Sequence, residues 1–144
     1  MRLLFIVFSV FYGVTHADTI DNYMKIANNI PLMEMKADAQ AQAWARSARH
    51  VLTITCESIA ETLIQANDSA KQQGHPLFCL ANGMQLNPIV MNELIQQTYK
   101  EISSQQSDKD KMTVSQIALL GVSKKYPCQA SKEIEQLKMV MGQH

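Results

Sequence analysis

Apolar residues recur along most of this chain at steps of three and four, the spacing that gathers side chains on one face of an α-helix. Ile20, Tyr23, Met24 and Ala27 open the series and predict a short helix ending at Pro31. Residues 32–43, rich in Ala, Met, Gln and Lys, predict the start of a long helix. From Trp44 its face is Trp44, Ala48, Val51, Leu52, Thr55, Ile59, Leu63 and Ala66, with Cys56 one turn after Leu52. Gly74 can take the left-handed conformation that closes a helix, and Pro76 cannot continue one. Residues 77–86 then read as a connector with a turn at Asn82-Gly83.

Asn87-Pro88 is a helix start: Asn caps free N–H groups, and Pro suits the first helical position. Met91, Leu94, Ile95, Thr98 and Ile102 are its apolar stripe. Residues 103–111 (SSQQSDKDK) have nothing to bury and read as a polar loop. Thr113 and Gln116 make a capping box for a helix with Val114, Ile117, Ala118, Gly121 and Val122 inward. Tyr126-Pro127-Cys128 ends that helix, and Ser131 can cap a last amphipathic segment through Ile134, Leu137 and Met141. The expected fold is all-α, a small bundle of about four to five helices around one core.

The first seventeen residues read differently. Met1-Arg2 is a short positive stretch, Leu3 to Val14 is apolar but for Ser9 and Gly13, and Thr15-His16-Ala17 places small residues at a cleavage site. That is the layout of a secretory signal peptide cut after Ala17. The apolar run falls short of the ~20 residues that span a bilayer, and no later segment is longer. Residues 18–144 are then expected as a single helical domain exported to the periplasm, with no membrane partner.

Losing Arg2 leaves twelve Lys and Arg against thirteen Asp and Glu, a net charge of −1. A chain so balanced has no basic stripe for nucleic acid or for an anionic membrane surface. Ala, Gln, Met, Lys and Glu favour helix, and the low Gly and Pro content argues against an all-β chain.

Three cysteines remain to be explained: Cys56, Cys79 and Cys128. Their spacing fits no CxxC metal pattern, so no metal is expected; in an oxidising compartment one disulfide is. The helices after Cys79 and before Cys128 are joined by a short loop and should pack antiparallel, which brings these two cysteines together. A Cys79–Cys128 bond would close the open end of that hairpin, leaving Cys56 as a free, buried thiol; Cys56 paired with one of the other two is the rival arrangement. No catalytic motif is present: His50, His75 and His144 accompany no nucleophile signature, and no cofactor fingerprint occurs. Glu57, Glu61 and Asp68 read as solvated helix positions, and Asn67-Asp68-Ser69 as a chance sequon. The chain is not expected to be an enzyme.

Several of these residues fall in a known order. Cys56 within a helix, Phe78-Cys79, the turn at Gly83, a helix through Val90 and Tyr99, a polar connector after Ser103, and Tyr126-Pro127-Cys128 together resemble the Rap/Tai family of type VI secretion immunity proteins. Many members carry a further upstream Cys, whose absence here would leave Cys56 unpaired. The resemblance implies a periplasmic protein that binds a cell-wall-cleaving amidase and blocks its Cys–His cleft, with no cofactor. The residues expected to meet that partner are Ser107, Asp108, Lys109 and Asp110 in the polar loop. Family members often dimerise, so a homodimer is a further expectation. The competing readings are a periplasmic helical chaperone or housekeeping binding protein, and a secreted effector of unrecognised type.

Overall fold

The computed structural model describes residues 19–102 and 108–128. The signal segment, Ser107, the segment from Ser131 to Met141 and His144 lie outside those residues. The element order is α1 (Ile20–Glu34), α2 (Ala39–Gln72), α3 (Pro88–Ile102), a 3-10 turn (Lys109–Lys111) and α4 (Val114–Lys125). The fold is therefore all-α. The described residues hold no strand beyond a single antiparallel bridge between Thr19 and Thr113. No helix among them is long and apolar enough to cross a membrane.

The long α2, 34 residues and about 51 Å at 1.5 Å per residue, is the spine. Both α1 and the α3–α4 hairpin pack on it. One core joins Ile20, Tyr23 and Met24 of α1, Leu52, Cys56 and Ile59 of α2, Phe78 and Leu86 of the connector, Met91 and Ile95 of α3, and Val114, Ile117 and Val122 of α4. The stripes read from the sequence for α3 and α4 are buried from Met91 to Thr98 and from Val114 to Val122.

The caps are where side-chain chemistry places them. Asn87 Oδ1 accepts from Val90 N at 2.9 Å, ahead of Pro88. Thr113 and Gln116 form the reciprocal capping box. Gly74 and Gly83 both have positive φ, at 83° and 81°, and Met84 N closes the turn onto Ala81 O.

Three expectations are corrected. First, α1 does not stop at Pro31 but runs to Glu34. Pro31 is exposed and lies in the last turn, so only the Ala27 carbonyl loses its donor, while Ile30 anchors the helix in the core. Second, residues 32–43 are not one continuous start to the long helix. The chain breaks after Glu34, and Asp38 caps α2 by accepting from Gln40 N and Ala41 N. Third, the face expected for α2 is buried at Ala48, Leu52, Cys56, Ile59 and Leu63, but it also takes in Ala41, Ala45 and Ala60. Trp44, Val51 and Ala66 are exposed. Small residues thus take the inward positions of the first three turns of α2, which packs on α1.

Candidate functional site

The α3–α4 pair is held by a disulfide and by the contacts of the described turn before α4, and those contacts make that turn a defined surface. Cys79 and Cys128 are disulfide-bonded, with Cα atoms 4.9 Å apart. Cys79 N also donates to Tyr126 O at 2.8 Å. The Cys79–Cys128 pairing is the one formed, and not the rival pairing through Cys56. Cys56 is the free thiol, fully buried.

The described part of the polar loop, Asp108 to Lys111, and the adjoining Met112 are tied down by four contacts. Ile20 N donates to Met112 O at 2.9 Å, which docks the start of α1 beside the start of α4. Tyr99 Oη donates to Asp110 Oδ1 at 2.7 Å. Lys111 Nζ pairs with Asp108 Oδ1 at 2.9 Å, and Lys111 N bonds Asp108 O at 3.0 Å to close the 3-10 turn. The bond to the Asp110 carboxylate disfavours loss of the Tyr99 proton and pushes its pKa up to about 12. Asp108 and Asp110 are thus exposed but held, so a partner meeting them would order little. Lys109 lies in the same turn. Ser107 cannot be placed with them, since it falls outside the described residues. Near the last residues of both helices, Lys124 Nζ of α4 bridges to Glu101 Oε2 of α3 at 2.7 Å and, by donating to it, holds that carboxyl below its usual range.

A second feature lies between α1, α2 and α3. An open groove of about 620 Å³ is lined by Ala27, Pro31, Arg49, Cys56, Ile89 and Asn92 among others. At its floor Tyr23 Oη donates to Asn92 Oδ1 at 2.6 Å and lies 3.1 Å from Cys56 Sγ. The single hydroxyl proton goes to Asn92, so the thiol is the donor to the Tyr23 oxygen. Gln96 Nε2 donates to the same Asn92 oxygen. Burial pushes both the Cys56 thiol and the Tyr23 hydroxyl up from their ordinary ionisation ranges, which makes the thiol a poor nucleophile. Ile89 beside the groove is 72% exposed.

The remaining candidates stay apart. His50 and His75 are exposed, as are Glu57, Glu61 and Asp68. Among the described residues no group of three or more His, Cys, Asp or Glu is placed to hold a metal. Asn67 has a use that the sequon pattern hides: its Oδ1 accepts from Leu77 N at 2.8 Å and Phe78 N at 3.1 Å, fastening the connector to α2. An Asn, a weak helix former, set late in a long helical stretch was the available signal. Tyr23 and Asn92 were equally invisible, since 69 residues separate them. No family model matches the chain, and no curated protein or solved structure matches it.

Proposed function

We propose that this chain is a periplasmic immunity protein that binds a type VI secretion peptidoglycan amidase and inhibits it by occluding its active-site cleft. The observation that carries this reading is the α3–α4 hairpin itself. Its disulfide joins the Phe78-Cys79 step to Tyr126-Pro127-Cys128, the residues that resemble the Rap/Tai family. The turn that leads into α4 presents Asp108 and Asp110, already ordered by Tyr99 and Lys111. A cleft-filling inhibitor needs no chemistry of its own, only an exposed element whose ordering cost is met before binding. Residues 1–17 would direct export, and residues 18–144 would be the inhibitor.

The test is capture from periplasmic extract mixed with cell-wall amidases, using the chain from Asp18 to His144. One amidase recovered in equal amount, with its hydrolysis of peptidoglycan lost, is the expected result. Asp108→Arg should then weaken the inhibition while leaving the fold intact, since Asp108 is exposed. Capture of no amidase, or full activity in the complex, would refute the proposal.

A second reading, a helical chaperone or housekeeping binding protein, is favoured by one observation. Leu32, Met35 and Ile89 are all more than half exposed. Capture of many unfolded clients in place of one enzyme would move the assignment there.

A further inference from the structure

The groove between α1, α2 and α3 is walled by Ala27, Ile30, Pro31, Leu52 and Ile89, and its volume of about 620 Å³ is that of a small-ligand site. Its polar groups are few. Thr53 Oγ1 already donates to Arg49 O. Asn92 Oδ1 receives both the Tyr23 hydroxyl and Gln96 Nε2, which fixes how the amide is turned. The Asn92 Nδ2 protons then have no partner among the described residues. Arg49 directs Nε and Nη2 to one oxygen, Glu34 Oε1, at 3.2 and 2.6 Å. Its Nη1 protons likewise have no partner among the described residues. On the α1 wall, Pro31 leaves the Ala27 carbonyl without its helical donor, which adds one acceptor to two unused donors.

We infer that this groove binds the free carboxyl terminus of a polypeptide whose last residues are apolar. Charge complementarity sets the direction. Arg49 is the one cation of the lining, and no acidic side chain lines the groove, so the ligand carboxylate goes to Arg49. Arg49 and Cys56 are seven residues apart on α2, about 10 Å along its axis. Asn92 meets α2 at the level of Cys56, through Tyr23. An extended chain advances about 3.3 Å per residue, so three residues reach from Arg49 to the Asn92 amide, which donates to a backbone carbonyl. The apolar side chains between those two points cover Ile30, Leu52 and Ile89. Ile89, 72% exposed, gains the most from being covered. The Ala27 carbonyl suits a peptide N–H, a group that a fatty carboxylate lacks. None of these residues belongs to the turn at Asp108 to Lys111, so the inference stands whatever the amidase experiment returns.

Isothermal titration calorimetry of the purified chain with the N-acetylated tripeptide Ala-Ala-Leu tests the inference. The expected result is saturable binding with a dissociation constant on the order of 0.1 mM. Amidating the peptide's carboxyl terminus should weaken it about tenfold, and so should Arg49→Gln, since each removes the charge-assisted contact. Circular dichroism should not change, because Arg49 is exposed. Glu34→Gln frees Arg49 from its carboxylate partner and should tighten binding about threefold. A purely structural ion pair would give no such gain. By NMR, the side-chain amide of Asn92 should shift as the peptide is added. No saturable binding into the millimolar range overturns the inference. So does an amidated peptide that binds as well as the acid, binding indifferent to Arg49→Gln, or an Asn92 amide that does not move. Decanoate held as tightly as the tripeptide overturns the assignment to a polypeptide.

Discussion

Gly121 offers the sharpest test of the packing between α3 and α4. It is buried in mid-helix, where replacement of Gly by Ala in isolation gains about 1 kcal/mol of helix propensity. Here a Cβ would run into Thr98 Oγ1 and would sit 3.4 Å from Leu94 O. Thr98 is itself buried, at 6% exposure, and as a β-branched residue in a helix it has few rotamers to retreat into. Overpacking of this kind costs about 1–3 kcal/mol, so Gly121→Ala is expected to destabilise by about 1 kcal/mol net, against the propensity trend. Urea denaturation followed by circular dichroism measures it. The control is a double-mutant cycle with Thr98→Ala, which removes the colliding hydroxyl. In that background Gly121→Ala should be neutral or stabilising, a coupling of about 1–2 kcal/mol. Thr98→Val keeps the bulk and should not rescue. If Gly121→Ala stabilises the wild-type chain by about 1 kcal/mol, or if the cycle shows no coupling, the close approach of α3 and α4 at this position is wrong.

Other outcomes are expected from features on the same hairpin. Cys79→Ala with Cys128→Ala frees a closed loop whose ends are 49 residues apart; loop-closure entropy puts the loss near 4 kcal/mol, or roughly 10–20 °C in Tm, by calorimetry, and a loss below about 1 kcal/mol would contradict it. Cys56, fully buried with its thiol pushed up, should ignore an aromatic disulfide reagent in the native protein and react as one thiol per chain in denaturant without reductant. Asp110→Asn should bring the Tyr99 ionisation down from about 12 toward the ordinary 10, read from the ring resonances of Tyr99 by NMR. The sign is that of a raised folded-state pKa: the stabilisation is complete below pH 10 and lost as pH climbs through 12, so Asp110→Asn should narrow the stability difference between those two pH values. Thr113→Ala removes the capping-box acceptor for Gln116 N and should cost about 1 kcal/mol in the same urea assay.

How much of this was legible depended on what each residue had to pack against. The inward face of α4 could be read because Val114, Ile117, Ala118, Gly121 and Val122 meet neighbours on one side, and periodicity alone records that. The disulfide could be read because two short helices joined by a short loop leave little choice of arrangement. In α2 the largest apolar residues misled: Trp44 and Val51 outweigh Ala41 and Ala45 in any hydrophobic count, yet the alanines are inside and the larger residues are exposed. The break at 35–38 hinged on a single cap, Asp38, set in a helix-favouring stretch. The network of Tyr23, Cys56 and Asn92 spans three helices, and no local pattern encodes it. As for the candidate tip, the sequence indicated that the loop was polar, but not that Tyr99 and Lys111 hold its two carboxylates.

The covalent ring between Cys79 and Cys128 also decides how the molecule would carry load. If the chain were drawn out by its two ends, tension would pass along α1 and α2 to Cys79, cross the sulfur bridge, and leave through Cys128. Helices α3 and α4 lie inside the ring and would bear none of it. With 49 residue steps short-circuited at about 3.5 Å each, the contour length reached before reduction would be shorter by roughly 170 Å. The acidic tip would ride on the segment that mechanical extension cannot unravel.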